Sequence, residues 1–470
     1  MPPPQVLELI GTRRTATTYR PGITPIRPRQ VFLGISVAAT VGAMLVLTTA
    51  AVAGSGAAPK VVVTPPVLVA SVSAPKGKGI SSLSFFSAVA DASRRRVYAT
   101  WSTSYAKSPE TRVYVAVSDD GGRTFARPVW LGRDPGGAQS AVRVDARGRV
   151  WATWTHYDLK KKDLLDPKIS YSNPSWQRLA YSDDGGRTWS VAVDVPANHG
   201  SKYSTAFGAL AVTPNGRMVT AFWLDYLPVF GYVKGLHEVG REAATYLAAT
   251  STDGGRNFGP VRRIVHAGCV CCEPFGLSAN GRTALLFRGW QRATLKHDRR
   301  DIKFTIATPT GWTRPVSVHD DNFLLNHCPS VGPAGVADRA GRVHVVWWTG
   351  ATGRAAYWYA IRSADGTFGA PVKIQDQPSA PNENNATLAL DASGTLWTAT
   401  VAHGQFKSDN TEDKSPNLVR VYRIGADGRP RPVPTATVAG GFPQLVATRG
   451  AVVQLWYHNG RLLARRIVAR

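Results

Sequence analysis

The chain is short of acidic charge: 31 Asp plus Glu stand against 56 Lys plus Arg, a formal net charge of +25. Such an imbalance favours anionic partners such as acidic glycans, cell-surface polymers or phospholipid. No run or stripe of basic residues accompanies it, which argues against nucleic acid, because the arginines are scattered and no reader motif is present. Sustained helical periodicity is also missing beyond residue 66, which excludes a helical bundle and leaves short β-branched and aromatic runs cut by Gly, Asp and Pro. Long hydrophobic runs are absent with one exception. Val31 to Ala53 is free of charge and follows an Arg- and Pro-rich stretch (1–30), so it reads as a transmembrane anchor or, ending in Ala51-Val52-Ala53, as a cleaved signal peptide. Either way the remainder is expected outside the cytoplasm, secreted or anchored, after a linker at 54–66.

Two patterns repeat. The octets "SDDGGRTF" (118–125), "SDDGGRTW" (182–189) and "STDGGRNF" (251–258) recur, with a worn copy "SADGTF" at 363–368. Each reads as a turn needing Gly at positive φ, an Asp that binds turn amides, and a ring that plugs the space between sheets. A second element, two strands joined by a polar Gly turn as in "VADASRRRVYATW" and "RVDARGRVWATW", occurs seven times at spacings of roughly 53 to 69 residues. That period matches one four-stranded propeller blade per repeat. The expected fold is therefore an all-β propeller over 67–470, seven-bladed with six as the alternative. The last repeat lacks a strand, which "VLVASVS" at 67–73 would supply, closing the ring by joining both termini in one blade and removing open sheet edges. A monomer is expected.

The octets match the Asp-box, S-x-D-x-G-x-T-[WF], and the chain resembles the sialidase-like superfamily of Asp-box (BNR-repeat) propellers. The resemblance implies that Asp119, Asp183 and Asp253 are structural turn residues on the face away from an active site. Sialidases proper are six-bladed and use an arginine triad, a Tyr nucleophile with its Glu, and an Asp acid/base. The stretch "KGISSLSFFSAVAD", where the first triad arginine would stand, contains no arginine. Uncharacterised bacterial members of the group resemble this chain more closely in carrying C-x-C-C, R-D-I and C-P-x-x-G-P. Here these are "CVCC" (269–272), "RDI" (300–302) and "CPSVGP" (328–333).

All four cysteines, Cys269, Cys271, Cys272 and Cys328, sit in two loops that each precede the first strand of a repeat. The two loops are expected to converge at the channel mouth opposite the Asp-boxes. Two readings stay open there. One is disulfides, the default outside the cytoplasm. The other is a zinc or copper site in which His266, His327 or Glu273 joins the sulfurs. Loops after the second strands bring His156, Asp158, Asp225, Tyr226, His237, Glu238, Arg288, Arg292 and His403 to the same mouth, and Gln139, Ser140, Glu273, Glu383 and Asn384 line the inner-strand entrances. Glu273, Asp225, Tyr226 and Arg288 are the candidate catalytic groups. The functional expectation is a propeller that binds an anionic glycan or polymer at its mouth, with a sialidase-like glycoside hydrolase of non-standard, metal-assisted site as the alternative.

Overall fold

Seven antiparallel sheets of four or five strands, and one small three-stranded sheet, account for the strands in the computed structural model. It describes residues 60–470 except 72–79, 92–94, 106–107, 159–174, 197–204, 226–242, 295–296, 326–328, 379, 381–385, 403–416 and 470. The expected signal or anchor at 31–53 lies outside the described residues. Among those described, no helix is long and apolar enough to cross a membrane.

Each large sheet runs through the chain in order. The first holds Ile80–Asp91, Arg96–Tyr105, Ser108–Ser118 and Val129–Trp130. The second holds Gly137–Val144, Val150–Tyr157, Ser175–Ser182 and Val193–Val195, and the third Thr205–Val212, Val219–Asp225, Ala244–Ser251 and Arg262–Gly268. The fourth, fifth and sixth begin at Phe275–Ala279, Ala334–Ala337 and Thr387–Leu390. In the seventh, Gly441–Thr448, Ala451–His458 and Arg461–Ala469 are completed by Val61–Val63 and Val67–Ser71, which pair with Arg461–Ala469. Residues 61–66 are thus not all linker, since Val61 to Val63 extend the sheet edge in register with Ala469 to Ile467.

The second strands explain the core. Val343–Thr349 is buried at every position and Leu396–Ala402 at all but the last, as expected for strands covered on both faces. The first strand of each sheet packs against the first strand of the next, and Gly441–Thr448 packs against Ile80–Asp91. That arrangement of sheets around a common axis is a β-propeller.

The Asp-boxes clasp neighbouring sheets. In the second octet the Asp184 carboxylate accepts from the Ser182 hydroxyl and from the amides of Arg187 and Thr188, while Ser182 Oγ accepts from Gly186 N. Asp120 and Asp253 do the same in the other two. The structural aspartates are therefore Asp120, Asp184 and Asp253, which corrects the assignment of Asp119 and Asp183. Those two occupy the second octet position, point outward, and pair with Arg96 (2.7 Å) and Arg149 respectively. Glycine at the fifth octet position allows close approach at positive φ. A Cβ on Gly186 would stand 2.8 Å from Val117 of the first sheet, and one on Gly122 2.7 Å from Val453 of the seventh.

Four first strands carry a bulge at the same level: between Ser84 and Ser87, Ala138 and Ala141, Ala206 and Ala209, and Gly441 and Gln444. Gln139, Phe207 and Phe442, all at positive φ, sit in three of them. Bulges re-aim side chains at barrel rims, and two of these bring Gln139 and Phe207 to the axial cavity.

Candidate functional site at the mouth of the axial channel

A cavity of about 70 Å³ is lined by residues from the first strands, or the loops entering them, of all seven large sheets, among them Ser87, Gln139, Arg143, Glu273, Thr387 and Gln444. Space of that size holds several waters or the end of a larger ligand. Gln139 is fixed by the bulges: its Oε1 accepts from the amide of Phe207 at 2.6 Å and from Thr155 Oγ1 at 3.2 Å.

Arg143 crosses this interior. It donates to Val142 O (2.8 Å) and to Gly276 O of the fourth sheet (3.0 Å), and lies 4.7 Å over the Phe275 ring. Its contacts are carbonyls and a ring, and no described carboxylate pairs with it. Burial pushes the guanidinium down to about 10. Its surface remains partly accessible because it faces the cavity. A cation so placed is ready to receive an anion, since a buried charge without a counter-charge is costly.

The cysteine loop joins Arg262–Gly268 to Phe275–Ala279, so it opens onto the same mouth. By topology this is the end opposite the Asp-boxes, which join third strands to fourth. Cys269 and Cys272 are fully buried free thiols, and their sulfurs lie 3.3 Å apart. Cys271 is disulfide-bonded, and its sulfur lies 3.7 Å from Cys269 Sγ. The expectation of two disulfides is thus not met, because two thiols remain free. Cys328 and His327 lie outside the described residues.

The other two motif pieces meet this loop. Arg288 and Arg300 are fully buried beside it. Arg288 donates to Val331 O, Arg300 O and Trp348 O at 2.7 to 2.8 Å, so "RDI" and "CPSVGP" are tied to one guanidinium. Asp301 accepts from the amide of Phe323 at 3.0 Å, and burial pushes its carboxyl up. Around Cys269 burial works against ionisation. The hydrogen bond from Cys272 and the charges of Arg300 and Arg288 outweigh it and hold this thiol well below its ordinary value. Burial and the adjacent Cys269 push Cys272 well up.

The three sulfurs lie within 4.8 Å of one another, close enough to share a metal ion. As arranged they fit zinc or copper poorly. Cys271 has spent its sulfur in a disulfide, and two buried guanidinium groups oppose a further cation. His266 is not part of the cluster: it is exposed on Arg262–Gly268 and bonds Thr245 Oγ1 at 2.7 Å.

Other expected residues separate. Glu273, Gln139 and Ser140 do line the cavity. Arg288 does not: it is a buried strut between motifs rather than a group at the mouth. His156 is engaged with buried Asp134 at 2.7 Å, and Asp134 also accepts from Trp154 Nε1 and Gly136 N. Burial alone would raise Asp134, but these partners, His156 first, hold it below the ordinary range. Arg292 is exposed, 3.6 Å from Asp298. Asp225 ends its strand opposite Thr205, and Asp158 follows the end of Val150–Tyr157. Tyr226, His237, Glu238, Glu383, Asn384 and His403 lie outside the described residues. Sequence reasoning passed over Arg143 and Arg300 as site residues. Arg300 had a signal in the "RDI" triplet, whereas Arg143 had none.

No family model and no curated protein matches the chain. Among solved structures, it is similar to a protein of unknown function from Dyadobacter fermentans, with 12% identity over 87% of this chain and 99% of that one and a TM-score of 0.48. It is similar to a GH93 α-L-arabinofuranosidase of Fusarium graminearum, with 12% identity, 87% and 98% coverage and a TM-score of 0.47. It is also similar to the Hadza microbial sialidase Hz136, with 13% identity, 79% and 76% coverage and a TM-score of 0.45.

Proposed function

We propose that this chain is an exported, sialidase-like propeller of seven blades that binds an anionic glycan or cell-surface polymer at its axial mouth. The blade count is supported by the seven large sheets, and closure by the pairing of Val67–Ser71 with the last sheet. Export, with or without an anchor at 31–53, is supported by that charge-free run and by a disulfide at Cys271, since disulfides persist in oxidising compartments. The chain acts as a monomer, and nucleic acid is not its partner.

The observation that carries the reading is Arg143, a half-buried cation facing the axial cavity that no carboxylate among the described residues pairs with. The cavity admits a carboxylate or sulfate group at the end of a larger chain rather than a whole sugar ring. The basic exterior would draw a polyanion toward it.

The alternative, a glycoside hydrolase in the sialidase mould with a metal-assisted site, has less support. Arg288 is spent on three carbonyls, and the sulfur cluster suits a metal poorly. A panel of acidic and neutral oligosaccharides, screened for binding and for cleavage, separates the readings. Binding confined to acidic members without new reducing ends supports the proposal; turnover of any member supports the alternative, and equal binding of neutral members without turnover contradicts both.

A further inference from the structure

The sulfur arrangement is more than two readings of a brace allow. A buried dithiol with Cys-x-x-Cys spacing, Cys269 and Cys272, touches the sulfur of a disulfide-bonded residue, Cys271, that is only half-buried.

We propose that Cys269, Cys271 and Cys272 form a thiol–disulfide exchange centre, in which the buried dithiol and the disulfide at Cys271 trade two electrons. The proposal stands on the sulfur geometry and is independent of anion binding. In the first step the Cys269 thiolate attacks Cys271 Sγ. The Cys269–Cys271 bond forms, the bond from Cys271 to its disulfide partner breaks, and that partner leaves as a thiolate with the electron pair. In the second step Cys272 gives its proton to the departed thiolate and attacks Cys269 Sγ. The Cys269–Cys272 bond forms and Cys271 leaves as a thiolate. One disulfide and two reduced sulfurs are present before and after, so no outside oxidant or reductant is required.

Three features favour this chemistry. Exchange requires a thiolate within contact of a disulfide sulfur, and 3.7 Å is such a contact. Thiolates are favoured beside buried cations, and Arg288 and Arg300 supply two. Cys272 already donates to Cys269, placing the resolving sulfur at 3.3 Å. The product exposes a reduced Cys271 at the mouth, able to pass its electrons to an incoming protein or small-molecule disulfide.

The test uses the full chain equilibrated in glutathione buffers of graded potential, acid-quenched, alkylated under denaturing conditions and mapped by peptide mass spectrometry. The expected result is two interconverting isomers, one bonded at Cys271 and one Cys269–Cys272. C272S should accumulate the Cys269–Cys271 intermediate, and C269S should lose exchange altogether while keeping the wild-type melting temperature. Isomerisation of the wild type should persist at pH values below the ordinary thiol range. A single disulfide at Cys271 in every buffer, with Cys269 and Cys272 always recovered reduced, overturns the proposal. So does stoichiometric zinc or copper that blocks alkylation of all three.

Discussion

Replacing Asp184 and, separately, its neighbour Asp183 with alanine tests how the blades are clasped. Asp184 accepts from Ser182 Oγ, from the amides of Arg187 and Thr188, and from Thr188 Oγ1. A net hydrogen bond contributes about 1 kcal/mol, but this carboxylate stands near the surface, so the whole set is discounted to about 1.5 kcal/mol. Asp183 makes an exposed ion pair with Arg149, expected to contribute about 0.5 kcal/mol. With an unfolding entropy of about 2 cal/mol/K per residue over ~400 residues, D184A should lower Tm by about 2 °C and D183A by less than about 1 °C. Burial acts to raise Asp184 and is the largest single influence on it, but the hydrogen bonds from Thr188, Ser182 and Arg187 together outweigh it and hold the carboxyl down to about 2. A folded pKa below the unfolded one means that the contribution is full above about pH 4 and is lost as pH falls toward 2. Differential scanning calorimetry at pH 7 should therefore separate D184A from wild type, and the gap should close near pH 2. Equal effects of the two substitutions, or a gap that widens in acid, would show that the Asp184 carboxylate does not hold the turn.

Further outcomes follow from packing. G122A should cost about 1 to 3 kcal/mol through its positive φ and its contact with Val453, and V453A should relieve part of that in a double-mutant cycle; additive costs would deny the contact between first and seventh sheets. W151A removes a fully buried ring whose Nε1 donates to Gly254 O at 3.1 Å, and urea unfolding should report a loss of about 3 to 5 kcal/mol. R288M strands three buried carbonyls and should cost about 3 to 5 kcal/mol, whereas exposed R292M should stay within about 0.5 kcal/mol.

Much of the fold was legible because its signals are local. Gly at positive φ and an Asp that binds its own turn must lie within a few residues of each other, so the octets mark themselves. The second and third positions of two octets are both Asp, which hid the working one. The third copy held the answer, since "STD" keeps Asp only at Asp253. The meeting of "CVCC", "RDI" and "CPSVGP" was legible as a pattern, but not its cause. That cause is a guanidinium bonded to three distant carbonyls. Arg143 was illegible for a similar reason: its partners are a carbonyl and a ring of the fourth sheet, more than 130 residues away in sequence. The oxidation state of the thiols depends on the distances among four sulfurs, which spacing alone does not set.

The most direct test of the central claim is calorimetric titration of wild type and R143M with an acidic oligosaccharide and its neutral counterpart, each at low and high salt. Wild type should bind the acidic ligand alone, and R143M should lose that binding at least tenfold while keeping its Tm within a few degrees. Undiminished binding by a folded R143M, or wild-type binding indifferent to ligand charge, would contradict it.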